Sequence, residues 1–263
     1  MQILVGCDPE VFVKQNGEFK SAFGLIKGDK KNPQKVKNGA VQVDGMALEF
    51  NIDPAASEDE FCFNVQDVFN TMCKMVPGYE VVATPVAHFD LSYMKTQPKE
   101  ALELGCDPDY NAWTNSVNVK PNGDRPMRTA SGHVHIGWCD GADINSADHI
   151  RRCELVVKQL DFFLGLPSLA YDNDKLRREM YGKAGCYRPK SYGVEYRTLS
   201  NAWLKSEALM RWVYRATKAG VEKVMDGVML EDEFGDIQDI INNSDAKKAK
   251  AIIKKAKLEV AHA

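Results

Sequence analysis

The chain has 263 residues, a formal net charge of −3, and 44% hydrophobic and 27% charged residues, enough to bury a sizeable core in one large domain. This charge balance gives no overall electrostatic drive toward nucleic acid or an anionic membrane surface, and no apolar run approaches the ~20 residues that span a bilayer. Seven cysteines, an odd number without Cys-x-x-Cys spacing, argue against a disulfide framework and a structural zinc site, and the opening Met1-Gln2-Ile3-Leu4-Val5 lacks signal-peptide features, so a cytoplasmic location is expected.

Residues 2–14 read as a strand, and Asn16-Gly17 turns the chain into a second strand near 18–26. Asp8 and Glu10 stand on alternate positions of the first strand, so both carboxylates are expected on one sheet face, with Pro9 tolerated at an edge or bulge. Like charges so placed repel unless a cation lies between them. The segment from Lys27 to Lys37 holds five lysines and reads as a solvated loop, with an anion-contacting flap as the other reading. Val41, Val43, Leu48 and Phe50 surround an Asp44-Gly45 turn, which predicts a hairpin carrying Glu49 near its second strand. Ser57 and Glu60 form a capping-box pattern ahead of Phe61, Val65, Val68, Phe69, Met72 and Met75, predicting a helix over 58–76. A further strand is predicted over 81–89.

Residues 92–128 are the least periodic, with Pro98, Pro108, Pro121 and Pro126, and a stretch of that length is more often functional than idle. A strand over 131–138 carries His133 and His135 on alternate positions while Val134 and Ile136 face away, so both histidines can reach one ion or ligand. Ser146 is expected to cap a helix over 147–165. Arg177, Arg178, Lys183, Arg188 and Lys190, with Gly182 and Gly185 shaping a loop, form a basic cluster that a phosphate chain would match. The strand 193–199 presents Glu195 and Arg197 together, as a metal carboxylate beside a phosphate-binding guanidinium or as a cross-strand salt bridge. Ser206 caps a predicted helix to about Val224. The expected division is a single catalytic domain over 1–230 and a peripheral helical tail over 231–263, lysine-rich from Ser244 to Leu258.

Three ordered motifs carry a resemblance. Gly6-Cys7-Asp8-Pro9-Glu10-Val11-Phe12 resembles the first metal-binding strand of glutamine synthetases and glutamate–cysteine ligases. Ser131-Gly132-His133-Val134-His135-Ile136-Gly137 is similar to their histidine strand, and Glu195-Tyr196-Arg197 to their late Glu-x-Arg. With Gly105-Cys106-Asp107-Pro108-Asp109-Tyr110-Asn111-Ala112-Trp113 and Tyr181-Gly182-Lys183-Ala184-Gly185-Cys186-Tyr187-Arg188, the pattern over residues 1–204 resembles the compact phage-encoded carboxylate–amine ligases, a branch of the glutamine-synthetase-like amidoligases.

The resemblance implies an α+β fold, a curved and mostly antiparallel sheet packed by helices, as in the catalytic domains of glutamine synthetases and guanidino kinases. It implies that Asp8, Glu10, Glu49, His133 and Glu195 hold magnesium, with manganese as a substitute, and that His135 lies near ATP. Asp8 stands where the family more often has glutamate, one methylene longer. Arg188 and Arg197 would contact phosphates, with Arg178 and Lys183 beside them, and Arg188, Glu195 and Arg197 would form the catalytic set. The implied reaction joins a small-molecule or peptide carboxylate to an amine in the host cytoplasm. ATP first converts the carboxylate to an acyl phosphate, because oxide is too poor a leaving group for direct amine attack, and Asp44 and Asp109 are candidates for the amine's proton. The rival readings are a metal-dependent hydrolase built on His-x-His, an inactive nucleotide-binding interaction module, and a guanidino kinase.

Overall fold

The computed structural model of the protein describes residues 2–103, 109–119 and 125–260. Its first strands are β1 (Leu4–Cys7), β2 (Glu10–Gln15), β3 (Glu18–Lys20), β4 (Gln34–Val36), β5 (Gly39–Asp44), β6 (Ala47–Ile52), β7 (Glu80–Val82) and β8 (Val86–His88). The later ones are β9 (Tyr110–Asn111), β10 (Ser116–Val117), β11 (Met127–Thr129), β12 (Val134–Gly137), β13 (Cys186–Lys190) and β14 (Gly193–Tyr196). One antiparallel sheet runs β1-β12-β14-β13-β9-β10; a second runs β3-β2-β6-β5-β4 with β7 also on β2; β8 and β11 pair separately.

The helices Glu58–Met75, Ala147–Leu160 and Glu207–Met225 cover one face of these sheets. The first lies on β5 and β6, the second on β13 and β14, and the third packs against both helices. Period-2 alternation explains the arrangement: Val11, Leu48, Phe50, Val134, Ile136 and Val194 turn toward the helices and share one core with Phe61, Val157, Leu160, Trp203 and Trp212. Polar residues at the intervening positions are left on the opposite face. The protein is thus a mixed α/β molecule of antiparallel sheets under helices, not a barrel, and none of its described helices is long and apolar enough to cross a membrane.

The Asp8-Pro9 step divides the predicted first strand. Cys7 still pairs with Val134 in the first sheet, whereas Glu10 pairs with Glu49 in the second. Between them Asp8 N–H donates to the His133 carbonyl at 3.3 Å, and the Pro9 carbonyl accepts from Phe50 N–H at 3.2 Å. Proline cannot donate to a ladder, so the chain changes partner at this point and the two acidic side chains serve different sheets.

The helix over 58–76 forms as Glu58–Met75: Ser57 accepts from Glu60 N–H at 3.2 Å, and the Glu60 carboxylate accepts from Ala56 N–H at 2.8 Å. Ser206 caps Glu207–Met225 through Leu209 N–H, but Ser146 makes no side-chain cap bond at the start of Ala147–Leu160. That helix continues into a π turn, Asp161–Gly165. The strand expected over 18–26 is only Glu18–Lys20, and the one over 81–89 divides into β7 and β8 around Pro85, another residue without a donor. The irregular stretch 92–128 holds short helices Leu91–Lys95 and Lys99–Leu102 besides β9 to β11. Residues 105–108 of the fourth motif and His262 lie outside the described residues.

Ile237, Ile241, Ala249 and Ile253, from the segment expected as a tail, are buried with Phe162, Leu166, Leu169 and Ala184. Trp212 Nε1 donates to the Glu259 carbonyl at 3.3 Å. Truncating a fully buried isoleucine removes apolar burial and leaves a cavity. Ile241→Ala should therefore lower the unfolding free energy by about 2–4 kcal/mol in urea titration; a loss below about 0.5 kcal/mol would mean that this segment is only loosely attached.

Candidate functional site

Strand register builds the site from two rows of side chains. In the first sheet Gly6, His135, Glu195 and Arg188 lie opposite one another across β1, β12, β14 and β13. Gly6 leaves room at the end of this row, and Asp8 reaches in from the strand crossing, with its carboxylate 3.0 Å from His135 Nε2 and 3.2 Å from His133 Nδ1. Glu195 is almost wholly buried and is met by Lys190 at 2.7 Å, Arg188 at 3.5 Å and the Arg197 guanidinium. Arg197, one residue past β14, also meets Asp109 at 2.5 Å. His133, one residue before β12, shares its Nδ1 among Asp8, Glu195 at 3.4 Å and Arg197 at 3.3 Å.

The balance of this row is toward fixed charge. Burial opposes ionisation of Asp8, but His135 and His133 outweigh it and hold the carboxyl well below its ordinary value. Burial likewise opposes ionisation of Glu195, and Arg197 overcomes it, bringing the group down to about 2. Burial lowers the pKa of His133, helped by the adjacent Arg197, whereas for His135 burial is overcome by Asp8 and the pKa is raised. The two histidines therefore share a face while their surroundings push their protonation in opposite directions. His135 also hydrogen-bonds the Tyr192 hydroxyl through Nδ1.

The second row is Glu10, Glu49 and Gln42, opposed across β2, β6 and β5. Asp44, at the end of β5, joins it, so that carboxylate oxygens of Glu10, Asp44 and Glu49 lie within 4.8 Å of one another. Glu10 also accepts from Ser131 N–H at 2.7 Å. Like charges directly opposed in a ladder are destabilising, and among the described residues these three carboxylates have one ammonium within ion-pair distance, Lys30 at 2.7 Å from Asp44. Desolvation, followed by repulsion from Asp44, pushes Glu10 up to about 7; desolvation, then Asp8, Asp44 and Glu10, pushes Glu49 well above its ordinary value. The charge shortfall, the all-oxygen donors and their mutual reach fit a hard divalent cation. Asp8, His135 and Glu195 form a second group with the same mutual reach.

The rows open onto two cavities. One, of about 350 Å³, is lined by charged groups including Glu10, Asp44, Asp109, Arg188, Lys190 and Arg197. The other, of about 610 Å³, has Leu4, Ile52, Pro54 and Trp138 in its walls with His135 and Tyr192. Asp8 and Glu49 line both.

Asp8, Glu10, Glu49, His133, His135, Arg188, Glu195 and Arg197 thus gather where the two sheets meet. Arg178 does not: its guanidinium is held by the carbonyls of Asp172 at 3.1 Å and Asp174 at 2.9 Å and by Ser244 at 3.0 Å. Lys183 is exposed, and its carbonyl serves Thr198. The neighbouring Arg177 is buried and binds the carbonyls of Ala130, Thr198 and Leu199 at 3.2, 2.8 and 2.7 Å. A helix, Lys175–Met180, turns these first two arginines into the protein, whereas Arg188 and Lys190 are on β13 and alternate toward the site. His149 is occupied by the Lys190 carbonyl at 2.9 Å and His88 is exposed on β8. Sequence reasoning gave Asp44 no place in the acidic row and did not foresee the apolar cavity; the adjacency of Asp44 to the Gly45 turn, which returns the chain directly to Glu49, is the signal for the former.

The raised carboxyls set the pH dependence of the metal-free protein. Glu10, at about 7 in the folded chain against an ordinary value of 4.5, holds more protons folded than unfolded, so stability falls as pH rises between these values. The depressed Asp8 and Glu195 act in the opposite sense, their contribution being lost as pH falls below about 4 through their folded values. Urea titrations in chelator should show stability decreasing from pH 4.5 to 7, with Glu10→Gln making the slope shallower and saturating magnesium, in place of chelator, reducing it further; the buried Asp161, raised to about 6, keeps part of it. A slope unchanged in Glu10→Gln would refute the assignment to this row.

Residues 123–256 match the family model described as Phage phiEco32-like COOH.NH2 ligase-type 2. No curated protein matches the chain. The matched segment takes in His133, His135, Arg188, Lys190, Glu195 and Arg197, so the cations gathered around Glu195 lie within it. On a match that spans more than half of its length, the chain belongs to the phage phiEco32-like COOH.NH2 ligase family.

Proposed function

We propose that the protein is an ATP- and magnesium-dependent carboxylate–amine ligase that forms an amide or peptide bond through an acyl phosphate, on a catalytic domain of the glutamine synthetase type. One observation carries the reading: an acidic row and a cationic row meet at Asp8, between an apolar cavity and a charged one. Phosphoryl transfer is catalysed by positioning and charge neutralisation, and it requires cations on both the leaving and the transferring side.

The apolar cavity suits a nucleoside, with Trp138 and Tyr192 offering flat surfaces and His135 also in its lining. Asp8 and Glu49, which line both cavities, mark where the phosphates would pass. Glu10, Asp44 and Glu49 would hold one magnesium, and Asp8, His135 and Glu195 a second, with His133 supporting Asp8. Bound magnesium would neutralise phosphate oxygens during transfer. Arg188, Lys190 and Arg197 stand ready on the other side for the transferring group.

In the first step a substrate carboxylate oxygen attacks the terminal phosphorus and ADP leaves. In the second the amine attacks the acyl carbon, the C–N bond forms, and the C–O bond breaks with its electron pair departing on phosphate. The amine's proton passes to Asp109, which lies on Arg197 at the charged cavity; Asp44 is engaged in the acidic row.

Incubation with ATP, magnesium and pools of amino acids or cell metabolites should give a condensed product, detected by mass spectrometry as the sum of two reactants less water, with stoichiometric phosphate. Glu195→Gln and Arg197→Lys should each reduce product formation about 10²–10³-fold. Metal-dependent hydrolysis of a pool compound without nucleotide would instead establish a hydrolase. Trp138→Ala should weaken ATP binding by about tenfold, the worth of one base-stacking surface, measured by calorimetry with magnesium present; unchanged affinity would remove the nucleoside from this cavity.

A further inference from the structure

Of the five lysines in the segment 27–37, Lys30 reaches the charged cavity. The segment is not wholly a loop, since Gln34–Val36 pairs with β5 as a strand. Its base is fixed to the acidic row's own strand. Gly28 lies so close to β5 that an added Cβ would stand 2.2 Å from the Val41 carbonyl. Val43 N–H donates to the Gly28 carbonyl at 2.9 Å. Asp29 then turns the chain by accepting from Lys31 and Asn32 N–H at 2.8 Å each. The Lys30 side chain is half exposed, yet its ammonium rests on Asp44. It is the one described cation in ion-pair distance of the Glu10–Asp44–Glu49 group, whereas Glu195 alone has three.

We propose that Lys30 is a transferable counter-ion: it neutralises the acidic row while that row holds no metal, and passes to the phosphate chain of a nucleotide once a divalent cation has replaced it. This rests on the metal and nucleotide reading given above. The physical case is one of displacement. A long, half-exposed side chain on an anchored backbone can carry its ammonium off Asp44 without leaving the cavity. A divalent cation held by the three carboxylates would repel it, and the phosphate oxygens of a nucleotide in the charged cavity would offer it a new acceptor. Lys30 is then an obstacle to metal alone and an aid to nucleotide, two effects of opposite sign from one residue.

The test measures both on the full chain. Manganese binding, by electron paramagnetic resonance, and binding of the non-hydrolysable analogue AMP-PNP in the presence of manganese, by calorimetry, are compared for wild type, K30Q and K30R. K30Q should bind manganese alone about threefold more tightly, the scale of a partly exposed ion pair, and should bind AMP-PNP about tenfold more weakly, the scale of a hydrogen bond between charged groups. K30R should stay close to wild type in both. Manganese affinity that is unchanged or weakened in K30Q, or AMP-PNP affinity that is unchanged, overturns the role of Lys30 while the wild-type titration leaves the metal site standing. Failure of the wild type itself to bind manganese overturns the metal reading and the inference together.

Discussion

Two glutamates held opposite one another across paired strands are the constraint around which the site face is organised. The register that buries Val11, Leu48 and Phe50 under the helices dictates that Glu10 and Glu49 meet on the other side, because a slip of one residue would exchange the two faces. The core is large and the opposed carboxylates few, so the fold imposes an arrangement that the carboxylates alone would avoid. Repulsion that packing holds in place is a standing demand for positive charge.

The first sheet answers the same demand differently. There Asp8 and Glu195 are matched by histidine, lysine and arginine on neighbouring strands, and the carboxyls are driven toward ionisation instead of away from it. Two rows only a strand crossing apart thus have opposite electrostatic character. Arg177 maintains their relation without entering either: by holding the carbonyls of Ala130, Thr198 and Leu199 it ties the approach to His133 to the exit from Arg197. Ser131, whose amide binds Glu10, stands next to the first of these carbonyls.

Much of this is legible in the sequence. Alternation identifies His133 with His135 and Glu195 with Arg197, because each pair belongs to a single short run with apolar residues between. The Asp8–Glu10 pair misleads for a specific reason: Pro9 interrupts the ladder and sends its neighbours to separate sheets, and alternation has meaning only within one strand. Arg178 and Lys183 are drawn toward phosphate by composition alone, since basic residues near a glycine-rich loop look alike whether a helix turns them inward or a strand turns them to a cavity. The third acid of the second row and the contact of Lys190 with Glu195 depend on pairing between distant segments, which no local pattern encodes. The burial of Ile237 and Ile241 is similarly obscured by the acidic and amide residues around them.

Glu195 has a further significance as the shared partner of Arg188, Lys190 and Arg197. Its carboxylate is 1% exposed, so the three cations are gathered around a point that solvent does not reach. They are ordered without any ligand, and under the proposed function an entering anion would meet directions and spacings already chosen by the protein. Discrimination between a tetrahedral anion and a flat one can then reside in the arrangement of the cations, not in their number. The same tether concentrates dependence on one group: neutralising Glu195 would leave Arg188 and Lys190 without their carboxylate, while Arg197 would keep Asp109.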